Sequence, residues 1–312
     1  MVTPVLPPKG ALYMTRYSRA ALAFAAAALV APYASAQEES ADELFKKGNE
    51  AFTSGKTDDA IAAYKSCTEK RSDFKEAWYN LGIAYGRKKQ YDDEIAAYEK
   101  AVAADAAYTK ALYNLAIAHE DKGDDDKAIE FYEKVITTEQ DAVDARINLG
   151  ILYSRKGKLD KAIEVYQKAR ELDPEVADVH FNLGIAFSKQ AETKNDPAQK
   201  SDLLAKAVDA YKAAVEKNTK YHKAWYNLAI AYNKLKKVDD EIGAYSKAIE
   251  VKPDYPQALF NLALAYKEKK DNENAKKYWT EYVRIAEPRP EEKRYVDTAK
   301  QELEALSKDA PK

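Results

Sequence analysis

Cysteine, glycine and proline are scarce in this sequence. Of its 312 residues, one is a cysteine (Cys67), ten are glycines and eleven are prolines. A single cysteine excludes an internal disulfide framework, so the fold must be held together by packing alone. So few glycines and prolines leave little room for the turns of an all-β protein. With 46% hydrophobic residues available for a core, we predict an all-α fold.

An excess of either charge is also missing. The 50 lysines and arginines nearly balance the 52 aspartates and glutamates, and the two signs are interspersed along the chain. Domains that bind nucleic acid usually carry a basic patch or a basic net charge. We therefore predict no nucleic-acid partner.

Residue groups with catalytic or metal-binding spacing are not apparent. The histidines show no ligand spacing; they are His119, His180 and His222. Residues 54–57 (SGKT) look like the end of a phosphate-binding loop, but Glu50 stands where that loop requires glycine. The acidic segments 92–94 and 239–241 (both DDE) begin second helices of hairpins, where negative charge suits the helix dipole. The sequence predicts no cofactor, no metal site and no enzymatic activity.

One apolar run lies close to the N-terminus. Residues 20–31 (AALAFAAAALVA) number about a dozen, too few to span a bilayer as a helix. A small-x-small cleavage pattern follows at 34–36, and basic residues precede the run at Lys9, Arg16 and Arg19. We predict a signal peptide over 1–36, cleaved after Ala36, with Met14 as a second candidate start. The mature protein would be periplasmic or secreted, with no stable membrane insertion; an uncleaved anchor is the alternative.

A stretch of 25 residues occurs twice in the chain. Residues 77–101 (AWYNLGIAYGRKKQYDDEIAAYEKA) return at 224–248 with 17 identical positions. Related segments, each containing one asparagine, are separated by 34, 34, 34, 45 and 34 residues. These asparagines are Asn80, Asn114, Asn148, Asn182, Asn227 and Asn261, which we call the asparagine ladder. A fixed period of this length indicates an array of helix hairpins.

The pattern resembles the tetratricopeptide repeat family. The family motif is visible at Trp78, Leu81, Gly82, Tyr85, Tyr98 and Ala101. The resemblance covers almost all of the chain after residue 36. It implies a right-handed α-solenoid of seven helix hairpins over 37–289, followed by a C-terminal capping helix and tail over 290–312. The repeats begin near Ala41, Lys75, Thr109, Val143, Ala177, His222 and Pro256.

Two segments depart from the 34-residue period. An insertion near 190–202 (QAETKNDPAQKSD) is polar and contains Pro197, which favours an exposed loop between the two helices of repeat five. After the last repeat, a helix is predicted from the apolar stripe Tyr295, Ala299, Leu303 and Leu306. A helix of this kind covers the end of a repeat stack, which would otherwise expose an apolar face.

Positions in each repeat are counted from its first residue, so that Asn80 is position 6 of repeat two. Positions 4, 7, 8 and 11 of the first helix face the second helix, whereas positions 2, 5, 6, 9 and 13 point away. In this family the second set lines the concave groove. We predict a peptide-binding groove made of the asparagine ladder and the residues at positions 5 and 9. Position 5 supplies Tyr79, Tyr113, Phe181, Tyr226 and Phe260, and position 9 supplies Ile83, Ile117, Ile151 and Ile185.

The resemblance implies a non-catalytic scaffold or adaptor of the cell envelope that binds an extended segment of another protein. A carboxamide suits this task because it can hydrogen-bond the peptide unit of any extended chain. Alternatives are a self-assembling homo-oligomer and, less favoured, an accessory subunit of an envelope enzyme complex. The recurring asparagine can also be inherited consensus, and part of the apolar stripe can be core. A clamp for a partner's terminal carboxylate is disfavoured, because Asn49, Asn80 and Lys110 match it but Phe45 and Asn114 replace two cations.

Overall fold

The computed structural model describes residues 39–308, and the predicted signal peptide lies outside them. The described chain consists of helices and short connections, which confirms the all-α fold class. The helices are α1 (Ala41–Thr53), α2 (Thr57–Lys70), α3 (Lys75–Arg87), α4 (Tyr91–Ala104), α5 (Thr109–Lys122), α6 (Asp125–Thr138), α7 (Val143–Arg155), α8 (Leu159–Leu172), α9 (Ala177–Glu192), α10 (Pro197–Lys217), α11 (His222–Lys234), α12 (Val238–Val251), α13 (Pro256–Glu268), α14 (Asn272–Ala286) and α15 (Lys293–Lys308). A 3-10 turn, Pro290–Glu292, precedes α15.

The first fourteen helices form seven hairpins, each with a first and a second helix. Every first helix begins at the residue where the sequence places the start of a repeat. The chain divides into two compact units with a boundary between Ala145 and Arg146, inside α7. We call them the N-terminal unit (described residues 39–145) and the C-terminal unit (146–308).

In four of the seven repeats the close approach of the two helices of a hairpin depends on glycine at position 8, and the other three have alanine there. In the N-terminal unit, a Cβ atom added to Gly82 would lie 2.5 Å from the Tyr98 ring. In the C-terminal unit, the same addition to Gly150 would lie 2.4 Å from the Tyr166 ring. Both rings are buried, so a larger side chain at position 8 would have to displace a ring or separate the helices.

The turn between the helices of a hairpin passes through a left-handed residue at position 15. Glycine fills this position in three repeats, as Gly55, Gly123 and Gly157, all with positive φ. Lysine fills it in three others, as Lys89, Lys236 and Lys270, with φ between 58° and 64°. A side chain at positive φ is strained because Cβ crowds the backbone. Six of the seven hairpins therefore share one turn geometry, and three of them adopt it at an energetic cost.

Repeat five turns differently, and our prediction of an exposed loop over 190–202 was wrong. Helix α9 continues to Glu192 and α10 begins at Pro197, so only residues 193–196 connect them. The Asp196 side chain accepts a hydrogen bond from the backbone N–H of Ala198, at 2.8 Å. Proline at the first position of a helix is favourable because its missing N–H has no intrahelical partner there. The proline starts a helix in this chain and does not interrupt one.

The added helical turns bury their own small cluster. Ala191, Leu203 and Leu204 are buried, and Phe187 and Leu235 pack against them. Ala191 is the one buried residue within 190–202, and residues 195–202 are exposed.

Helix α15 covers the last hairpin. Val296, Ala299 and Leu306 are buried in the cluster that also contains Trp279 and Tyr282 of α14. Just before α15, the buried Glu292 carboxylate accepts hydrogen bonds from the Tyr282 hydroxyl (3.0 Å) and from Nε2 of Gln257 (3.1 Å). No helix within residues 39–308 combines the length and the apolar character that crossing a bilayer demands.

Successive hairpins are joined by polar contacts at the hairpin turns. Residue 14 of one repeat contacts the aspartate at position 18 of the repeat before it. The pairs in the N-terminal unit are Lys88–Asp58 and Lys122–Asp92, and those in the C-terminal unit are Gln190–Asp160 and Lys269–Asp239. Most of these side chains are well exposed, so each pair stabilises the chain by little on its own.

Candidate functional site

The asparagine ladder makes intrachain hydrogen bonds in the N-terminal unit. Nδ2 of Asn114 donates to the hydroxyl of Tyr79, at 3.1 Å. Nδ2 of Asn80 donates to Oδ1 of Asn49, at 2.9 Å, and that oxygen also accepts from the Tyr64 hydroxyl. Both ladder residues are half-buried. Each of the two therefore uses at least one N–H of its amide group within the chain.

In the C-terminal unit the ladder residues differ from one another. Asn261 is 1% exposed, and its Nδ2 donates to the Tyr226 hydroxyl at 3.1 Å. Asn227 is half-buried and donates to the backbone carbonyl of Lys223 in its own helix, at 2.8 Å. Asn148 is half-buried and has interactions within the chain. Asn182 is only 8% exposed, and its side chain makes no hydrogen bond to any residue of the described chain.

The residue at position 5 of the preceding repeat explains these differences. Tyr79 and Tyr226 each lie 35 positions before a ladder residue and place a hydroxyl within reach of it. Three other ladder residues follow a side chain without a hydroxyl: Phe45 precedes Asn80, Ile147 precedes Asn182 and Phe181 precedes Asn227. Those asparagines bond elsewhere or have no partner in the described chain. A tyrosine hydroxyl at this position thus accounts for the hydrogen bonds of Asn114 and Asn261.

Several position-5 rings belong to the core. Phe181 is 5% exposed, Tyr226 0% and Phe260 1%, so we exclude these predicted groove residues from the surface. The Tyr226 ring lies 5.6 Å from the ring of Tyr245 and 5.0 Å from that of Tyr255. Aromatic side chains at later positions of the same repeat cover these rings. Asn261, which is 1% exposed, is excluded for the same reason.

The remaining predicted residues are half-buried or retain an unused polar atom. In the N-terminal unit these residues, called the N-terminal face, are Tyr79, Asn80, Ile83, Tyr113, Asn114 and Ile117. In the C-terminal unit these residues, called the C-terminal face, are Asn148, Ile151, Asn182, Ile185 and Asn227. Each face combines carboxamides with half-buried apolar side chains.

The unused polar atoms of the ladder are mostly acceptors. Oδ1 of Asn80, Asn114 and Asn227 accepts no hydrogen bond within the described residues. Within residues 39–308, no asparagine has a side-chain oxygen or nitrogen that is both fully buried and without a hydrogen-bond partner. These three oxygen atoms are therefore open to solvent.

Two buried glutamates were missed by the sequence analysis. At position 20, five repeats have a fully buried alanine, but repeat two has Glu94 and repeat six has Glu241. Both oxygens of Glu241 lie 3.0 Å from Nδ2 of Asn233, and burial raises the pKa of this carboxyl to about 7. We had assigned the DDE segments to helix-dipole stabilisation, which does not describe their third residue. The two glutamates could have been recognised by comparing position 20 across the repeats, because the other five have alanine there.

The histidines occupy separate structural environments. His119 is buried and stacks on Phe131, with 5.4 Å between ring centroids, and burial lowers the pKa of its imidazole. A ring nitrogen of His180 lies 2.8 Å from the backbone oxygen of Pro174. Among residues 39–308, no group of three or more His, Cys, Asp or Glu side chains is arranged to hold a metal ion.

Four family models match segments of the chain. One described as "TPR repeat" matches residues 153–190 and 239–270. Three described as "Tetratricopeptide repeat" match residues 45–109, 111–143 and 256–288. Together they cover more than half of the chain. No curated protein is significantly similar to the sequence.

Solved structures show the same architecture. MamA is 30% identical over 57% of this chain and 97% of its own, with a TM-score of 0.51. A tetratricopeptide repeat protein from Parabacteroides merdae is 13% identical over 86% of this chain and 98% of its own, with a TM-score of 0.56. YrrB, described as a TPR protein with an unusual peptide-binding site, is 20% identical over 64% of this chain and 97% of its own, with a TM-score of 0.54. The last two likenesses show the fold alone.

Proposed function

The chain belongs to the tetratricopeptide repeat family, and from this premise we propose that it is a non-catalytic interaction scaffold that binds an extended segment of another protein. Tetratricopeptide repeat proteins are in general interaction scaffolds. The observation that carries the proposal is the solvent-facing Oδ1 atom of each of three ladder residues, Asn80 and Asn114 in the N-terminal unit and Asn227 in the C-terminal unit, with half-buried isoleucines in the same unit. We make no proposal of catalysis.

The chemistry of the two faces favours ligands with hydrogen-bond donors. The Nδ2 atoms of Asn80, Asn114 and Asn227 each donate a hydrogen bond within the chain, whereas their Oδ1 atoms accept none there and are open to a ligand. Backbone N–H groups of an extended segment are suitable donors, and its alternating side chains can pack on Ile83, Ile117 or Ile185. Each hydrogen bond stabilises the complex by about 0.5–1.5 kcal/mol net. A few such bonds with apolar burial give a micromolar complex, about −8 kcal/mol.

The place of action is a proposal that depends on the predicted signal peptide. We propose that the chain is exported and works in the periplasm or outside the cell, as a scaffold of the envelope. Mass spectrometry of the intact protein from a cell-envelope fraction tests this. A mature N-terminus at Gln37 supports export with cleavage, whereas a retained segment 1–36 contradicts it.

A peptide selection tests the binding proposal. Peptides from a random dodecapeptide library are selected on the wild-type chain, and their affinities are measured by fluorescence polarisation. We expect Asn80→Ala/Asn114→Ala and Asn227→Ala to weaken binding of the peptides that use the respective face, because each change removes acceptors that the ligand needs. The matched control is Lys168→Ala, an exposed residue on α8. If all selected peptides bind every variant as tightly as the wild type, the proposed site is wrong.

Self-association is an outcome that the same preparation reveals. Light scattering at micromolar concentration reports the mass of the purified chain, which is 35.0 kDa for a full-length monomer. A monomer that binds peptides supports the scaffold proposal. A stable oligomer whose dissociation requires the same asparagine changes would show that a second copy occupies the face.

A further inference from the structure

Repeat three differs from the others at position 11 of its first helix. Repeat one has Ala51 there, and repeat three has His119. The other five repeats have a tyrosine or phenylalanine: Tyr85, Tyr153, Phe187, Tyr232 and Tyr266. Repeat three therefore has an imidazole where a phenyl or phenol ring is usual, and an imidazole is the side chain that takes up a proton near physiological pH.

The packing of His119 does not require an imidazole. Its ring stacks on Phe131, at position 23 of the same repeat, with 5.4 Å between the centroids and 10° between the planes. Tyr266 and Tyr278 occupy the same two positions of repeat seven, and their rings stack at 5.5 Å and 4°. A ring without nitrogen thus serves the same contact elsewhere in this chain.

The ring nitrogens of His119 have no use in the folded state. The residue is 3% exposed, and both nitrogens are buried without a hydrogen-bond partner among residues 39–308. Buried polar atoms in folded proteins are nearly always hydrogen-bonded, so an exception requires an explanation. A phenylalanine would fill the same place without leaving two polar atoms unsatisfied.

A carboxylate lies close to the imidazole. Oδ2 of Asp124 lies 3.8 Å from Nδ1 of His119, too far for a hydrogen bond but within the range of an ion pair once the ring is charged. Oδ1 of Asp124 accepts a hydrogen bond from the backbone N–H of Lys127, at 3.3 Å, and so caps α6. The same side chain therefore holds the first turn of α6 and faces the ring on α5.

Other charged groups around the imidazole act in both directions. Burial has the largest effect and lowers the pKa of the ring. Lys127 of α6 and Lys122 of α5 lower it further, whereas Asp124 and Glu99 of α4 raise it. Glu130 of α6 also interacts electrostatically with the ring. The net result is a ring that is neutral in the folded protein at neutral pH.

We infer that hairpin three, made of α5 and α6, is an acid-sensitive element and that His119 is its switch. Protonation places a charge on a ring that the fold holds against Phe131 and away from water, which is unfavourable. The charged ring leaves Phe131 and pairs with Asp124. Because that carboxylate also caps α6, its new partner weakens the start of α6 and loosens the packing of α5 on α6.

The switch acts on the N-terminal face because both lie on one helix. Tyr113, Asn114 and Ile117 of that face belong to α5, and Ile117 is two residues before His119. A helix that is loosely packed no longer holds these side chains in place. We expect a segment bound there to be released in acid. This consequence rests on the proposed function, whereas the switch itself does not.

The direction of the effect follows from the state that binds the proton more tightly. An imidazole in an unfolded chain titrates near pH 6.5, and burial lowers the pKa of His119 in the folded state. Between these two values the unfolded state binds more protons, so a fall in pH favours opening. The stability that depends on the neutral ring is complete above about pH 6.5 and is lost as the pH falls through the lower, folded value.

Hydrogen exchange of individual amides tests the switch. Protection factors are compared at pH 8 and pH 5, because they correct for the pH dependence of intrinsic exchange. In the wild type, those of α5 and α6 should fall severalfold at pH 5, and by more than those of α1 and α2 in the same unit. In His119→Phe they should be equal at the two pH values, because phenylalanine keeps the stacked ring and takes up no proton. An acid response that persists in His119→Phe overturns the inference.

A second variant tests the role of the carboxylate. Asp124→Asn keeps a residue that caps helices well, but it removes a charge that favours protonation of His119. The loss of protection should therefore move to lower pH. A response at the wild-type pH would show that the carboxylate does not receive the ring, and would also overturn the inference. His222→Phe is the matched control, because burial lowers the pKa of that imidazole too but it lies in the C-terminal unit. It should leave the response of α5 and α6 unchanged.

Peptide binding tests the consequence for the N-terminal face. The probes are dodecapeptides without histidine, selected on the wild-type chain at pH 8, whose affinity falls in Asn80→Ala/Asn114→Ala. The wild type should bind them severalfold more weakly at pH 5 than at pH 8, and His119→Phe should bind them equally at both. Equal affinity of the wild type at both pH values would contradict release by acid. A library that yields no such peptide contradicts the proposed function, and hydrogen exchange still decides whether the switch exists.

Discussion

Nδ2 of Asn261 lies 3.1 Å from the hydroxyl oxygen of Tyr226, in the first helix of the preceding repeat. Both residues are fully buried, at 1% and 0% exposure. Nδ2 of Asn114 makes the same bond with Tyr79 at the same distance, but both of those residues are half-buried. The same tyrosine–asparagine hydrogen bond therefore connects successive repeats in the core at Tyr226–Asn261 and closer to the surface at Tyr79–Asn114.

The two pairs predict different costs for the same substitution. Tyr226→Phe removes an acceptor from the buried Asn261 carboxamide, and we expect the free energy of unfolding to fall by about 1–3 kcal/mol. Tyr79→Phe should cost only about 0.5–1.5 kcal/mol, because water can replace the lost hydroxyl. Urea denaturation followed by circular dichroism measures both. Equal losses in the two variants would contradict a role for burial.

The left-handed residues at position 15 predict opposite effects of two reciprocal substitutions. Lys236→Gly relieves a non-glycine residue at φ 58° and should raise the free energy of unfolding by about 1 kcal/mol. Gly157→Lys introduces the same strain at φ 72° and should lower it by about 1 kcal/mol. Thermal unfolding of the two variants checks the pair. A destabilised Lys236→Gly variant would show that the lysine side chain makes a compensating contact.

Glu241 predicts that stability falls as the pH rises. The folded state keeps this carboxyl protonated up to about pH 7, because burial raises its pKa from the model-compound value of 4.5. The unfolded state loses the proton near pH 4.5, so between these values the folded state binds more protons and a rise in pH favours unfolding. The upper limit of the effect is about 3 kcal/mol. The groups that face the carboxyl include Asn233, which lowers its pKa, and Glu268, which raises it.

Urea denaturation of Glu241→Ala at pH 5 and pH 8 tests this. Alanine is the residue of five other repeats at this position, so the variant should unfold at higher urea concentration than the wild type at pH 8 and show a weaker pH dependence. Asp240→Asn is the matched control, since Asp240 is exposed. A variant with the same pH profile as the wild type would show that another group is responsible.

Glu292 predicts how firmly the terminal helix is attached. Glu292→Ala leaves the Tyr282 hydroxyl and Nε2 of Gln257 without their shared acceptor, which should cost about 2–3 kcal/mol. The exposed neighbour Glu291 provides the control Glu291→Ala. Hydrogen exchange should accelerate in α15 of the first variant before it accelerates in α11 or α12. Uniform acceleration in α11 to α15 would mean that the carboxylate does not act on the cap specifically.

The local sequence was sufficient to predict most of the fold. The 34-residue period places the first helix of every repeat, because each hairpin buries the same positions against its own second helix and its neighbours. Gly82 and Tyr98 show how local this information is, since a missing Cβ in one helix makes room for a ring in the next. Repeat five was misread because Pro197 interrupts a helix in some settings and begins one in others, and the Asp196 cap selects the second.

The candidate site could be predicted only in part. Asn182 and Asn261 occupy the same repeat position, and nothing in their own helices separates a carboxamide without a partner from one buried in a hydrogen bond. The difference lies 35 residues earlier, at Ile147 and Tyr226. It could be recognised only after the packing of successive repeats showed that these two positions meet.

The sequence by itself determined the helix hairpins and their register, because helix periodicity and the glycine–aromatic pairs act over short distances along the chain. The tertiary structure decided which carboxamides and rings remain accessible, because accessibility depends on side chains from other helices. Tyr79 and Tyr226 each lie beside two tyrosine rings of their own repeat, yet Tyr226 is fully buried and Tyr79 is half-buried. Periodicity predicts which way a side chain points, and only packing determines what covers it.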